Sequence, residues 1–189
     1  MHIGLYFGSF NPIHVGHLII ASYARHHTDL EQVWLVVSPQ NPLKPAGTLL
    51  NEYDRLHLIR LAIEDDPHLK ASDIEFNLPK PSYTVTTLAY LQEKYPKHTF
   101  SVIMGSDSLQ NLDKWKNYET ILKNHTLYVF KRPEFEIKQY PGANIKIIPA
   151  PLIEISSTEI RKQIKLKIPV RYQVTLAVAK EIEANRYYS

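Results

Sequence analysis

Two histidines near the amino terminus are the side chains best placed to do chemistry. His14 and His17 lie in the segment GSFNPIHVGH at 8–17, which joins an apolar run to a helical pattern. Residues three apart share one helix face, so both imidazoles would lie beside the unpaired N–H groups and positive dipole of the helix start. Additional backbone amides in the turn at Gly8 and Ser9 can face an anion. This combination predicts phosphate binding.

Two other interpretations of the histidine pair stay open at this point. A pair at this spacing can ligate a metal ion, although no obvious third and fourth ligands accompany it. The histidines could also be incidental polar residues at a helix start. The segment is neither a P-loop nor a G-x-G-x-x-G fingerprint, because both need glycines at other spacings. We predict no metal site built from protein ligands.

The segment ISSTEIR at 155–161 is a second candidate for phosphate binding. Ser156 or Ser157 can cap a helix, with Glu159 in its first turn as in a capping box. Capping alone would explain the serines. Arg161 follows by about one turn, and its guanidinium could reach phosphates held at the capped end.

A third candidate segment is IMGSDSL at 103–109, directly after an apolar run. Gly105 would allow the backbone to approach a ligand closely. Asp107 could accept hydrogen bonds from a ribose, but it could equally be a simple helix N-cap.

The elements that must position these residues alternate along the chain. We predict strands at 2–7, 33–37, 70–76, 100–104, 126–130 and 145–148, and helices near 14–27, 51–66, 83–95, 108–123, 157–165 and 171–185. This alternation predicts an α/β fold with a Rossmann-like, doubly wound, mainly parallel sheet and helices on both faces. We expect one domain over 1–189, with 157–189 as a helical portion packed on it. Ligands in such folds bind beyond the carboxyl ends of the strands.

Composition excludes several functional classes. The 189 residues contain no cysteine, which rules out disulfides, thiolate metal sites and a cysteine nucleophile. We expect a cytoplasmic protein, because the chain shows neither a signal-peptide pattern nor an apolar run long enough for a membrane helix. The formal net charge of +3 is small, so we predict neither nucleic acid nor membrane as a partner.

Together, five blocks resemble the HxGH-type nucleotidyltransferase superfamily and, within it, the bacterial nicotinate-nucleotide adenylyltransferases. They occur in the family's order across nearly the whole chain. The blocks are GSFNPIHVGH at 8–17, PSYTVTTL at 81–88, IMGSDSL at 103–109, KW at 114–115 and ISSTEIR at 155–161.

The resemblance implies a reaction of NAD biosynthesis. Nicotinate mononucleotide would attack the α-phosphorus of ATP, giving nicotinate adenine dinucleotide and pyrophosphate without a covalent enzyme intermediate. Mg²⁺ would arrive with ATP and be held mostly through phosphates and water. The partners expected are therefore ATP and nicotinate mononucleotide, and the oligomeric state is left open.

The resemblance also implies roles for individual residues. The catalytic residues would be His14, His17, Lys44 and Arg161. ATP would be bound by Gly8, Ser9, Phe10, His14, His17, Gly105, Asp107, Ser157, Thr158 and Arg161. Nicotinate mononucleotide would be bound by Lys44, Tyr83, Thr84 and Trp115, with the indole of Trp115 stacked on the pyridine ring.

Two departures from the family pattern bear on the substrate. Leu43 stands where the family often has histidine before Lys44, and Thr86 stands where aspartate is common. Alternatives therefore remain, namely a sister enzyme such as pantetheine-phosphate adenylyltransferase or a cytidylyltransferase, and a regulator that binds nucleotide without catalysis. A nucleic-acid-binding module using the basic segment 161–189 is a further alternative, although the chain lacks an RRM, KH or zinc-finger signature.

Overall fold

Six parallel strands form one sheet in the computed structural model, which describes residues 1–39 and 49–189. The strands are β1 (His2–Gly8), β2 (Gln32–Val37), β3 (Leu69–Ser72), β4 (Thr99–Gly105), β5 (Leu127–Phe130) and β6 (Ile145–Ile148). Their order across the sheet is β3-β2-β1-β4-β5-β6, and every neighbouring pair is parallel. The predicted Rossmann-like, doubly wound class is confirmed.

Seven helices in the described part of the chain cover the two faces of this sheet. They are α1 (Val15–His26), α2 (Glu52–Ala62), α3 (Thr84–Lys94), α4 (Ser106–Gln110), α5 (Tyr118–Asn124), α6 (Ser157–Lys165) and α7 (Leu176–Ala184). The first core cluster joins the sheet to α1, α2, α6 and α7, and the second joins it to α3, α4 and α5. The helices therefore lie on both faces, as doubly wound sheets require.

Strand β1 shows how the sequence separates the two cores. Ile3 and Leu5 are fully buried in the second cluster, with Phe7 packed against it, while Tyr6 belongs to the first cluster. Successive strand residues point to opposite faces, so β1 contributes side chains to both cores. On the first-cluster side, a methyl group at Gly4 would lie 2.7 Å from Leu30, so this glycine allows close packing.

Four predicted elements differ from the observed ones. The helix predicted at 51–66 ends at Ala62. The strand predicted at 70–76 ends at Ser72 and is followed by a 3₁₀ turn at Ile74–Asn77. The helical region predicted at 108–123 is divided between α4, a short 3₁₀ turn and α5. The last helix begins later than predicted, because the Thr175 hydroxyl caps it by accepting from the Val178 N–H at 3.3 Å.

The strand order reverses direction between β1 and β4. β1 pairs with β2 on one side and with β4 on the other, so successive crossovers leave the sheet in opposite directions from this point. The connections that follow β1 and β4 lead away from each other at the carboxyl ends of the two strands, which leaves a crevice between them. All three candidate segments begin at or beside this crevice.

Candidate active site

A cavity of about 1150 Å³ opens at the carboxyl ends of β1 and β4. It brings together predicted site residues from four separate parts of the chain. The predicted site residues that line it are Gly8, Ser9, Phe10, His14, His17, Tyr83, Thr84, Gly105, Asp107, Trp115, Ser157, Thr158 and Arg161. The predicted Lys44 and its neighbour Leu43 lie outside the described residues.

The cavity has two ends that differ in chemistry. We call the part lined by 8–17 and 156–161 the histidine end. The part lined by Glu75, 82–84 and 114–116 is called the tyrosine end. Imidazole and guanidinium groups line the first, whereas aromatic rings, hydroxyls, lysines and one carboxyl group line the second.

The loop between β1 and α1 is held by side chains of α6. The Ser157 hydroxyl donates to the Pro12 carbonyl oxygen at 2.9 Å, and Arg161 Nη1 donates to the Asn11 carbonyl oxygen at 2.8 Å. Ser156, not Ser157, is the helix cap, since its hydroxyl accepts from a backbone N–H one turn later. Capping and loop contact are thus divided between the two serines.

Arg55 fixes the same loop from beneath. It is fully buried, and within 1–39 and 49–189 the acceptors of its guanidinium are all backbone carbonyl oxygens, including that of Ser9 at 2.5 Å. The other acceptors are the carbonyl oxygens of Leu50 (2.8 Å), Ser38 (3.0 Å) and Pro39 (3.3 Å). Because a trans peptide is planar, the N–H of Phe10 points away from the carbonyl held by Arg55. That donor is therefore turned from the interior, which suits anion binding.

His14 and His17 form a stacked pair at the start of α1, with ring centroids 3.7 Å apart. His14 is the N-cap residue, and its backbone N–H donates to His17 Nδ1 at 3.3 Å. A ring nitrogen that accepts carries no proton, so neutral His17 has its proton on Nε2. His17 can therefore donate from Nε2 to a phosphate oxygen.

The environment of His14 keeps its ring uncharged at neutral pH. Burial, reinforced by the Arg132 guanidinium, lowers the pKa of His14 to about 4. A methyl group at Gly16 would lie 2.9 Å from this ring and 3.1 Å from Ile153. The glycine of the HVGH motif is thus needed so that the ring can pack against the helix.

The segment after β4 forms one wall of the cavity. A side chain at Gly105 would overlap the carboxylate of Asp107 and approach Arg132 to 3.2 Å. Gly105 is itself the N-cap residue of α4, so the interpretation of Asp107 as a simple N-cap is wrong. Asp107 Oδ1 instead lies 3.9 Å from Arg132 Nε. The buried Ser106 hydroxyl accepts from the Arg132 N–H at 2.9 Å and so fixes this wall.

The tyrosine end is built around the start of α3. Tyr83 is the N-cap residue and Thr84 the first helical residue. Lys116 Nζ lies 4.6 Å from the centroid of the Tyr83 ring, a cation–π distance. Trp115 is half-buried and packs against the second core cluster while it also lines the cavity. Thr86 is exposed on the outer side of the helix.

The sequence did not identify three residues that shape this cavity. Arg132 follows β5 directly, so a cation at the carboxyl end of a predicted strand was the signal available. Arg55 resembled a surface residue of an amphipathic helix. Glu75 fell within a predicted strand that ends before it.

No group of three or more His, Cys, Asp or Glu side chains in the described ranges is placed to hold a metal ion. Across the same ranges, no helix is both long and apolar enough to cross a membrane.

Known proteins share both the sequence and the architecture of this chain. The family model for cytidylyltransferase-like proteins matches residues 5–163. A probable nicotinate-nucleotide adenylyltransferase of Flavobacterium psychrophilum is 54% identical over 100% of this chain and 99% of its own length. A second, from Cytophaga hutchinsonii, is 50% identical with the same coverage.

A solved structure extends the likeness to the fold. The nicotinic acid mononucleotide adenylyltransferase of Plasmodium falciparum, solved in complex with NaAD, superposes with a TM-score of 0.83. It is 21% identical, and the match covers 99% of this chain and 97% of that one. At 21% identity this similarity shows a shared fold, whereas the similarity to the bacterial sequences shows the family. The chain therefore belongs to the cytidylyltransferase-like family and, within it, to the nicotinate-nucleotide adenylyltransferases.

Proposed function

We propose that this chain transfers the adenylyl group of ATP to nicotinate mononucleotide, a step of NAD biosynthesis. The observation that carries the proposal is that the segments 8–17 and 155–161 line the same cavity as the tyrosine end. Its histidine end offers donors for a triphosphate, and its tyrosine end offers aromatic surface for a pyridine ring. The names of the bacterial relatives support the same activity.

At the histidine end, we assign the phosphates of ATP to His14, His17 and Arg161. His17 would donate from Nε2 to the reacting phosphate, where negative charge grows in the transition state. Arg161 donates from Nη1 to the Asn11 carbonyl oxygen and from Nη2 to the Thr158 hydroxyl at 3.5 Å, and its remaining guanidinium N–H groups would donate to phosphate oxygens. Arg132, next to Asp107, adds positive charge to the same end.

We assign the remaining ATP contacts to backbone and small side chains. Close approach of adenosine to Gly105 would place its ribose near Asp107, in keeping with the glycine's lack of a side chain. The amides of Gly8, Ser9 and Phe10 and the start of α6 at Ser157 and Thr158 would complete the triphosphate contacts.

Nicotinate mononucleotide would bind with its ring at the tyrosine end. Trp115 and Tyr83 supply the aromatic surface, and the N–H groups at the start of α3 near Thr84 can receive the carboxylate. Lys116 makes this end electropositive. Lys44 is kept as an expected contact on the ground of the sequence alone. Thr86 is exposed, so the missing aspartate at that position weighs little against this assignment.

The reaction needs alignment and charge stabilisation, and no nucleophile from the chain. A 5′-phosphate oxygen of nicotinate mononucleotide forms a bond to the α-phosphorus of ATP. The bond from that phosphorus to the α–β bridging oxygen breaks, and pyrophosphate leaves with its electron pair. Mg²⁺ bound to ATP would neutralise phosphate charge. The donors at the histidine end are nitrogens, which Mg²⁺ ligates poorly, so phosphates and water are its expected ligands.

We also treat residues 1–189 as one nucleotidyltransferase domain, with 157–189 as its helical carboxyl-terminal portion. Support comes from Ser157 and Arg161, which donate hydrogen bonds to carbonyl oxygens of the loop after β1. Val178 and Ile182 of α7 likewise belong to the first core cluster.

Release of pyrophosphate tests the proposal. The protein is incubated with ATP and Mg²⁺ plus nicotinate mononucleotide, nicotinamide mononucleotide or phosphopantetheine. We expect nicotinate mononucleotide to give the fastest release. Release that depends on phosphopantetheine would instead indicate the sister enzyme. Release with none of the three would refute adenylyl transfer to these acceptors.

A further inference from the structure

Glu75 is a buried carboxyl group at the tyrosine end of the cavity. It is 2% exposed and lies in the 3₁₀ turn after β3. The Ser82 hydroxyl donates to Glu75 Oε2 at 2.7 Å, and the Thr87 hydroxyl donates to Oε1 at 2.8 Å. The Ser38 side chain, just beyond β2, contributes to holding down the pKa of this carboxyl group. One side chain therefore joins the 3₁₀ turn to the start of α3.

Stability alone does not account for this carboxyl group. Within the described ranges, no Lys or Arg forms an ion pair with Glu75. Burial raises its pKa, although the hydroxyl donors oppose that rise. An apolar side chain would be cheaper to bury than a carboxyl group without a cation. Residues that break such rules concentrate at functional sites.

The two best-defined donors bracket the start of α3. Ser82 lies one residue before the N-cap Tyr83, and Thr87 lies within the first turn, where its hydroxyl is also 3.3 Å from the Tyr83 carbonyl oxygen. Tyr83 and Thr84, between these anchors, line the cavity. Glu75 thus fixes the orientation of the helix start from both sides.

We propose that Glu75 is the positioning residue of the tyrosine end, which sets the first turn of α3 for binding the pyridine nucleotide. This inference rests on the proposed function, because it names the substrate that the turn receives. Glu75 acts through Ser82 and Thr87 and leaves the histidine end, and hence ATP binding, untouched.

The sign of the expected effect separates positioning from simple electrostatics. Replacing Glu75 by glutamine removes a negative charge near the site of an anionic substrate. If the charge alone mattered, the KM for nicotinate mononucleotide would fall. If Glu75 positions the helix start, that KM rises, because the glutamine NH₂ cannot accept from the hydroxyl it now faces.

The experiment compares steady-state kinetics of the full chain and four variants, Glu75→Gln, Thr87→Val, Thr86→Val and the double variant Glu75→Gln/Thr87→Val. Thr86→Val is the matched control, because it removes the exposed hydroxyl of the neighbouring residue. We expect Glu75→Gln to raise the KM for nicotinate mononucleotide about tenfold and Thr87→Val about fivefold. The KM for ATP and the kcat at saturation should change less than about twofold. In the double variant, the KM for nicotinate mononucleotide should rise by less than the product of the two single effects, because both substitutions break the same hydrogen bond between Thr87 and Glu75.

Three outcomes would overturn the inference. These are an unchanged or lowered KM for nicotinate mononucleotide in Glu75→Gln, equal rises in both KM values, and equal effects of the Thr86 and Thr87 variants. If Glu75→Gln does not fold, the pair Thr86→Val and Thr87→Val decides the question. Failure of the proposed function is distinct, because the unmodified protein would then release no pyrophosphate with nicotinate mononucleotide.

Discussion

The two ends of the cavity are stabilised in opposite ways. At the histidine end, cationic and hydroxyl side chains donate to backbone carbonyls of the loop after β1, as Arg161, Ser157 and Arg55 do. At the tyrosine end, a buried carboxyl group accepts from hydroxyls around the start of α3. The first arrangement turns backbone N–H groups outward, whereas the second orients a helix terminus.

This difference explains which end can be recognised from sequence. Apart from Arg132, the groups that we assign to phosphate lie in two short segments, 8–17 and 155–161. Their spacing within each segment is fixed, because a triphosphate needs donors that converge on it. The tyrosine end depends on contacts between Glu75 and residues that follow it by seven and twelve positions. We therefore expect changes at the histidine end to affect turnover and changes at the tyrosine end to affect the choice of acceptor.

The largest effect should come from His17→Ala. His17 donates where charge develops, and loss of one such donor costs roughly 2.7–4 kcal/mol, or about 10²–10³ in kcat. The KM for ATP should change much less. The measurement is kcat at saturating ATP and nicotinate mononucleotide. Near-normal turnover would remove His17 from the catalytic group.

Discrimination between acceptors should come next in size. The N–H groups at the start of α3 can donate to both oxygens of a nicotinate carboxylate, whereas nicotinamide would turn its NH₂ toward one of these donors. An unsatisfied buried donor costs about 1–3 kcal/mol, so kcat/KM should favour nicotinate mononucleotide roughly five- to 150-fold. The ratio is measured under identical ATP and Mg²⁺. A preference for the amide would contradict the assignment of the tyrosine end.

A smaller loss is expected for Arg161→Lys, which keeps the charge. Lysine cannot hold the Asn11 carbonyl and a phosphate with one rigid planar group. Loss of one charge-assisted hydrogen bond is worth about 1.5 kcal/mol, so kcat/KM for ATP should fall about tenfold. Lys162→Arg, at the exposed next position, is the control. Equal values for both variants would show that Arg161 is only a helix-surface residue.

The smallest effect concerns folding and follows from the lowered pKa of His14. Its folded pKa is about 4, below the unfolded value near 6.5, so only the unfolded chain binds this proton between those values. Stability should therefore decrease as pH falls through this window. In urea unfolding, the free energy of unfolding of His14→Asn should fall by about 1 kcal/mol less per pH unit than that of the unmodified protein. Identical pH dependence in both proteins would contradict the burial of a neutral His14.

Much of the fold was predictable because the strands are short, continuous apolar runs between clear breaks. The strand predicted at 70–76 was wrong in its second half, where a 3₁₀ turn at Ile74–Asn77 brings Glu75 within hydrogen-bond distance of Ser82 and Thr87. The burial of Arg55 also escaped prediction. It depends on carbonyls up to 46 residues away in sequence, which no local pattern reveals.

The most direct test of the account follows the α-phosphorus of ATP. The protein is incubated with nicotinate mononucleotide, Mg²⁺ and ATP labelled with radioactive phosphorus at either the α or the γ position, and the products are separated. We expect the α label in nicotinate adenine dinucleotide and the γ label in pyrophosphate, in equal amounts. Transfer of the γ label to the acceptor, or no label in a dinucleotide, would contradict adenylyl transfer in this cavity.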